Sequence, residues 1–172
     1  EAAQARAKIV KNWSSHPRRM EFRQQAIASC KSDCERFFDL FAWTFDPREK
    51  KNPAQAARPF LLYNKQRIAL KVIQHCIDNQ RPLYIAKSRA RGISWLIDET
   101  FLWYAKFTEN FHGHIGSQTE SDVDKIGDMQ SLMERIRWSI REAEKATPGV
   151  FGKDWEKVSK ELLIKFPNSN SQ

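Results

Sequence analysis

One stretch, Leu83-Tyr84-Ile85-Ala86-Lys87-Ser88-Arg89-Ala90-Arg91-Gly92-Ile93-Ser94-Trp95-Leu96-Ile97, constrains the fold more than any other. Apolar residues run into a short basic loop, a glycine and a serine close it, and a strongly apolar segment follows at once. That order reads as strand, phosphate loop and helix. The usual phosphate loop is G-x-x-x-x-G-K-[ST], whose backbone N–H groups cradle phosphate while the lysine reaches the β/γ oxygens and the hydroxyl binds Mg²⁺. Here Gly92 and Ser94 fill the last glycine and hydroxyl slots, but Ile93 stands in the lysine slot and Lys87 in the first glycine slot. A cation is therefore supplied from the opposite end of the loop. The competing reading of the same residues is a basic turn ahead of a buried helix.

Charge favours the first reading. The chain carries a net +8, and the block from Lys50 to Ile97 holds ten basic residues against the single acid Asp78, leaving the remainder near −1. Positive charge gathered around the loop points to a polyanionic partner, either nucleotide phosphates, nucleic acid or both. A solvated basic face without a ligand is the plainer alternative. With 172 residues, 41% hydrophobic composition and six tryptophans, the chain suits one domain with a sizeable core or a large piece of a bigger one. It lacks an apolar run of membrane-spanning length and a signal-peptide core, so the expectation is a soluble intracellular protein. Three cysteines (Cys30, Cys34, Cys76) are too few and too odd in number for a disulfide framework and read as buried thiols.

Taken in order, residues 2 to 13 read as a first helix. Arg18 to Phe45 shows helical spacing of Phe22, Ala26, Cys30, Cys34, Phe37 and Phe41, with a capping box at Ser32 and Glu35 that divides it in two. Its aromatic end, from Phe37 to Phe45, reads as packing. Pro47, Pro53 and Pro59 mark a connection over residues 47–59, between an N-terminal helical region (1–46) and the rest (60–172). Asn64 to Asn79 is helical, with Ile68, Val72, Ile73 and Cys76 on one face. Short strands are expected at 83–86, 111–116 and 161–166. A helix apolar almost all round should follow the loop to Phe107, and a long amphipathic one should run from a cap at Ser117 to Thr147. His112 and His114 read as strand-edge residues, and Asp122 and Asp124 as acids serving a helix dipole. The element order predicts an α/β fold: parallel strands with flanking helices, and the 87–94 loop beyond a strand's carboxyl end, where such sheets bind ligands. The helix starting near Ile93 would offer free N–H groups to an anion.

Four segments then resemble the N-terminal ATPase part of the large terminase subunit, the DNA-packaging motor of tailed bacteriophages. Lys87-Ser88-Arg89-Ala90-Arg91-Gly92-Ile93-Ser94 looks like the deviant Walker A motif of some terminases, in which the lysine opens the loop. Upstream, Pro59-Phe60-Leu61-Leu62-Tyr63-Asn64-Lys65-Gln66 looks like the adenine-recognising segment, with Gln66 in the glutamine position. Ile115-Gly116-Ser117-Gln118-Thr119-Glu120 resembles the strand-to-helix step after Walker A, and Phe41 to Arg48 the tryptophan-containing end of the leading helices. The resemblance spans about residues 34–170. The family's Walker B strand with its paired acids, its coupling motif and its nuclease domain have no counterpart in these residues.

The resemblance implies a P-loop NTPase-like parallel sheet, incomplete here, and an ATP hydrolase that uses ATP and Mg²⁺ to drive double-stranded DNA into a procapsid. Its implied partners are double-stranded DNA, the small terminase subunit, the portal protein and copies of itself in a ring, in the cytoplasm of the infected bacterium. Lys87 takes the β/γ-phosphate contact in this reading. The backbone of Ser88, Arg89, Ala90, Arg91, Gly92, Ile93 and Ser94 surrounds the phosphates, and Ser94 supplies its hydroxyl to Mg²⁺. Gln66 reads the adenine edge and Tyr63 packs on the base. Arg91 or Arg89 stabilises the γ-phosphate, and the sequence does not choose between them. These residues alone are expected to bind nucleotide weakly with little turnover. Two other function classes compete: a non-catalytic basic nucleic-acid-binding module, and a helicase-like ATPase, against which Ile93 counts.

Overall fold

A computed structural model describes residues 2–46, 56–88, 91–152, 154–167 and 169–172. Its elements in chain order are α1 (Ala2–Ser15), α2 (Arg19–Lys31), α3 (Cys34–Leu40), β1 (Trp43–Phe45), β2 (Ala57–Pro59), α4 (Asn64–Asp78), α5 (Ile93–Phe107), α6 (Glu120–Val123), α7 (Leu132–Ala146) and α8 (Asp154–Val158). The fold is mixed α/β and mostly helical. Among the described residues its sheet has two strands, paired antiparallel with Trp43 opposite Pro59 and Phe45 opposite Ala57. No described helix is long and apolar enough to cross a membrane.

The N-terminal helices form because their apolar positions recur at helical spacing and meet one another. Trp13, Cys30, Phe37, Phe38 and Phe41 are all fully or almost fully buried. Phe37 makes edge contacts to Phe38, Phe107 and Phe151, which ties α3 to the end of α5 and to the segment after α7. Each such aromatic contributes about 1.5–3 kcal/mol through burial. The break between α2 and α3 falls where expected, but the cap is Asp33, which accepts from the Arg36 N–H at 3.0 Å, and not Ser32. The aromatic run then leaves the helix at Phe41, and Trp43-Thr44-Phe45 becomes β1, since alternation of bulky residues suits a strand as well as a helix end.

Helix α5 is the central element. Leu96, Leu102, Trp103, Tyr104 and Ala105 are buried against α3, α4 and α7. Trp103 donates its indole N–H to the Cys30 carbonyl (2.7 Å), and the Tyr104 hydroxyl donates to Asp78 (2.6 Å). Trp95 meets Trp138 of α7 edge to face. On α4 the buried face is Gln66, Leu70 and Ile73, whereas Ile68 and Val72 are 64% and 44% exposed. The helix is thus rotated from the face its aliphatic spacing indicated, because Gln66 turns inward.

Three expected strands need correction. Residues 83–86 lie in no strand, and Tyr84 is 91% exposed. Residues 161–166 fold back locally, with bridges Lys160–Leu163 and Phe166–Ser171 closing the turn expected at 167–170. Residues 111–116 also lie outside any strand. There, however, Gln172 N–H donates to the Phe111 carbonyl and Gly113 N–H to the Gln172 carbonyl, each at 2.9 Å. That slanted pattern belongs to a parallel pair. A short apolar run satisfies a strand only when a neighbour takes its backbone groups, and periodicity carries no information about that neighbour.

The long helix expected after Ser117 is interrupted. Thr119, not Ser117, caps the single turn α6, and a turn through Gly127 (φ 81°) separates it from α7. Asp124 explains the interruption: it pairs with both Arg137 nitrogens (2.5 and 2.6 Å) and accepts the Leu162 N–H (2.6 Å). The Arg137 guanidinium holds the Asp124 carboxyl below the usual carboxylate range, helped by that N–H. Asp124→Ala strands a buried cation and should lower the free energy of unfolding by about 3 kcal/mol in urea titrations. Exposed Asp122→Ala should change it by less than about 1 kcal/mol.

Candidate functional site

The site is assembled from two ends. Phe60 and Leu62 are buried, Phe60 against the edge of Phe38 at 5.4 Å, and so fix the entry to α4. Tyr63 at the N-cap of α4 and Gln66 one turn in then face the loop. The Tyr63 hydroxyl donates to the Arg91 carbonyl at 3.1 Å, and Gln66 Nε2 donates to the same carbonyl at 3.3 Å. Gln66 Oε1 accepts the Tyr63 N–H at 3.3 Å. With Gln66 only 4% exposed, its amide is a buried brace between α4 and the loop. It retains one N–H and one lone pair for another partner.

Gly92 is the hinge of the loop. It is the N-cap of α5 in the left-handed region (φ 71°), and a Cβ built there would lie 2.9 Å from Gln66 Nε2. Glycine therefore meets two demands at once, backbone conformation and clearance. Leu96 N–H is bonded to the Gly92 carbonyl (2.9 Å), and the N–H groups of Ile93, Ser94 and Trp95 before it have no backbone partner among the described residues. Arg91 is exposed and donates through Nε to Ser88 Oγ at 3.0 Å, which orients its guanidinium along the loop. Arg89 and Ala90 lie outside the described residues.

Lys87 and Ser94, seven positions apart, line one open groove of about 530 Å³ together with Ile77, Arg81, Ile85 and Ile93. Lys87 is exposed and makes no ion pair among the described residues. The Ser94 hydroxyl is half-buried and makes no hydrogen bond there either. The structure thus brings Lys87 and Ser94 to one surface, and Tyr63 and Gln66 to the base of the same loop. Ile93 turns its side chain to the core, which is why the lysine slot is filled by an aliphatic residue. Nearby Arg67, whose basic side chain counted toward the loop's positive block, is spent on Glu35 (2.6 Å) and Asp39 (3.2 Å).

The histidines and Asp124 do other things. His112 shares a hydrogen bond with the Gln172 amide (2.9 Å), and Asp124 is committed to Arg137. No group of three metal-ligating side chains converges among the described residues.

Sequence reasoning missed Asp98 and Glu99, which are 2% and 1% exposed in the middle of α5. Burial pushes the Asp98 carboxyl up to about 7, partly offset by Arg135. It pushes Glu99 up to about 8, offset by Ser139, raised further by Asp98 and offset again by Arg6. The signal was present: two adjacent acids inside a helix otherwise apolar on every side.

A scan against protein-family models and searches of curated proteins and of solved structures find no match to this chain. The residues therefore carry the functional reading by themselves.

Gly92→Ala should cost about 1–2 kcal/mol from the left-handed backbone alone. It should cost less when Gln66→Ala is made in the same chain, since the shortened side chain leaves room for the new Cβ. Urea unfolding of the two single variants and the double variant checks this through the coupling energy.

Proposed function

We propose that this chain is a nucleotide-binding part of an ATP-driven DNA-packaging motor of the large-terminase type, with the 87–94 loop as its phosphate site. One observation carries the reading. Tyr63 and Gln66, singled out for adenine recognition, both reach the Arg91 carbonyl of that loop, across 28 and 25 residues of chain. A base reader and a phosphate loop must touch one ligand, so they must lie side by side. A basic turn with no ligand makes no such demand on two residues so far upstream.

The residues present fit the nucleotide and its metal, because Lys87 and the Ser94 hydroxyl line one groove and neither has a protein partner among the described residues. Lys87 would neutralise β/γ-phosphate charge, and the N–H groups at the start of α5 would donate to the phosphate oxygens. Ser94 would hold Mg²⁺, which supplies charge neutralisation when bound. Arg91, already aimed by Ser88, is the described arginine placed to meet the terminal phosphate. The remaining N–H and lone pair of Gln66 suit the adenine edge. The acids that position water and the second metal contact are not assigned to any residue here. In the finer fold reading the loop belongs to a parallel P-loop sheet, and the parallel hydrogen bonds of Gln172 with Phe111 and Gly113 support it. Double-stranded DNA, a small terminase subunit, a portal protein and a homo-oligomeric ring are the partners of such a motor, and the host bacterial cytoplasm is where it works.

A second reading is favoured by Tyr84, which is 91% exposed between Arg81 and Lys87. An exposed aromatic flanked by cations is what a nucleic-acid-binding module presents. Salt-sensitive DNA binding that ignores ATP and is lost in Tyr84→Ala would establish that module instead.

Titration with a fluorescent ATP analogue and Mg²⁺ tests the nucleotide reading. Lys87→Ala should weaken binding about tenfold or more, the loss of a charge-assisted phosphate contact. Arg18→Ala, on the exposed start of α2, should leave it unchanged. Equal affinity in wild type and Lys87→Ala would refute the assignment.

A further inference from the structure

A cluster of buried polar side chains on the loop's helix and its surroundings is explained by neither the phosphate site nor the hydrophobic core. Glu99 of α5 is fully buried, and among the described residues neither of its carboxylate oxygens has a hydrogen-bond partner. Around it are Arg6 of α1, Trp43 of β1 and Ser139 of α7. The Arg6 guanidinium lies over the Trp43 ring at 4.6 Å and donates through Nη1 to the Ala42 carbonyl (2.8 Å) and the Phe38 carbonyl (3.3 Å). Its Nη2 is buried and unbonded, as is Trp43 Nε1. Ser139 Oγ accepts the Trp43 N–H at 3.3 Å and faces Glu99 without meeting hydrogen-bond geometry. Two unbonded donors and an unbonded carboxyl therefore share one interior space.

An ionised carboxylate without donors in such a place is far more costly than a neutral carboxyl. Orphaned polar groups at that density are not expected of a purely structural core. Their location gives them a use. Glu99 lies five residues beyond Ser94 on the same helix, about 7.5 Å along its axis, and its neighbours belong to α7, which packs on this helix, and to α1 and β1, which pack on α3 and α7.

We propose that Glu99 is a positioning residue and proton site for the loop: as a neutral carboxyl it seats α5 against α1, β1 and α7. Loss of its proton to solvent draws the unbonded arms of Arg6 and Trp43 toward it and shifts the helix start that carries Gly92 and Ser94. The assignment to nucleotide binding rests on the phosphate-loop reading, whereas the proton site itself does not. The charged and titratable groups that face this one are Arg6 on α1, Cys34 and Asp39 on α3, Asp98 on α5, and Arg135 beside Asp98 on α7. Burial raises the Cys34 thiol and Arg6 stays cationic at neutral pH, lowered only to about 10, so the groups that change charge near neutrality are the two acids. The sign follows from Glu99 binding its proton more tightly folded, at about 8 against an ordinary 4.5. Its stabilisation is complete below the unfolded value and is lost as pH rises through about 8.

Three measurements decide it. Infrared spectra of the wild-type protein should show a protonated-carboxyl component that fades as pH passes about 8; Glu99→Gln should lack it and keep only the Asp98 component, which fades through about pH 7. Thermal unfolding should show wild type losing stability as pH rises from about 4.5 to about 8 and levelling above that, with Glu99→Gln flatter and Asp98→Asn still sloping. Affinity for a fluorescent ATP analogue should fall about threefold or more from about pH 7 to about pH 9 in wild type and stay level in Glu99→Gln. Absence of the infrared band in wild type, or parallel stability profiles for wild type and Glu99→Gln, overturns the proton site. If the band and the stability slope are present but nucleotide affinity is equally pH-dependent in Glu99→Gln, the positioning role is overturned and the site is only structural. No nucleotide binding at any pH refutes the phosphate-loop reading and the positioning role with it, while the first two measurements still judge the proton site.

Discussion

Burial of α5 is the constraint on which the rest of the molecule depends. An apolar helix that meets protein on nearly every side must be enclosed, and α3, α4 and α7 enclose it. The aromatic contacts of Phe37 with Phe107, and of Trp95 with Trp138, fasten its two ends to different parts of the chain. Because its start is also the end of the 87–94 loop, the packing that seats this helix also fixes where that end of the loop lies.

The loop is positioned by polar contacts that cross the sequence. The Arg91 carbonyl, next to a left-handed Gly92, would be poorly satisfied by its neighbours, and Tyr63 and Gln66 supply the missing donors. Glycine at 92 and glutamine at 66 are in this sense one feature, since any larger residue at 92 would run into the amide. Lys87 and Ser94 have no partner among the described residues, while Arg91 and Gly92 between them are tied down.

Polar groups inside this fold fall into two kinds. Asp124 with Arg137, and Glu134 with Arg141, are paired: the first, which also takes the Leu162 N–H, ties that segment to α7, and the second lies within α7 itself. Asp98 and Glu99 are different: both are buried on the loop's helix, Asp98 in a 3.8 Å ion pair with Arg135 and Glu99 with no hydrogen bond or ion pair among the described residues. Burying such acids lowers stability relative to an aliphatic residue, which is the ground for the role proposed for Glu99 at the loop.

Local chemistry was legible in the chain. The helices were read close to their ends where apolar spacing and caps were strong, as in α1, α4 and α5, and the burial read for the thiols holds for Cys30 and Cys34 but not for Cys76, which is half-exposed on α4. The residues of the site were also visible as types at a spacing: Lys87, Gly92 and Ser94, with Tyr63 and Gln66 upstream. Tertiary structure decided the remainder. Residues 83–86 had strand composition but no backbone partner among the described residues, β1 arose from what read as a helix end, and α4 turned Ile68 and Val72 outward to bury Gln66. A side chain's spacing reports only its own element, whereas strand pairing, helix rotation and the fate of Glu99 depend on which distant groups arrive beside it. That is a property of the packed whole.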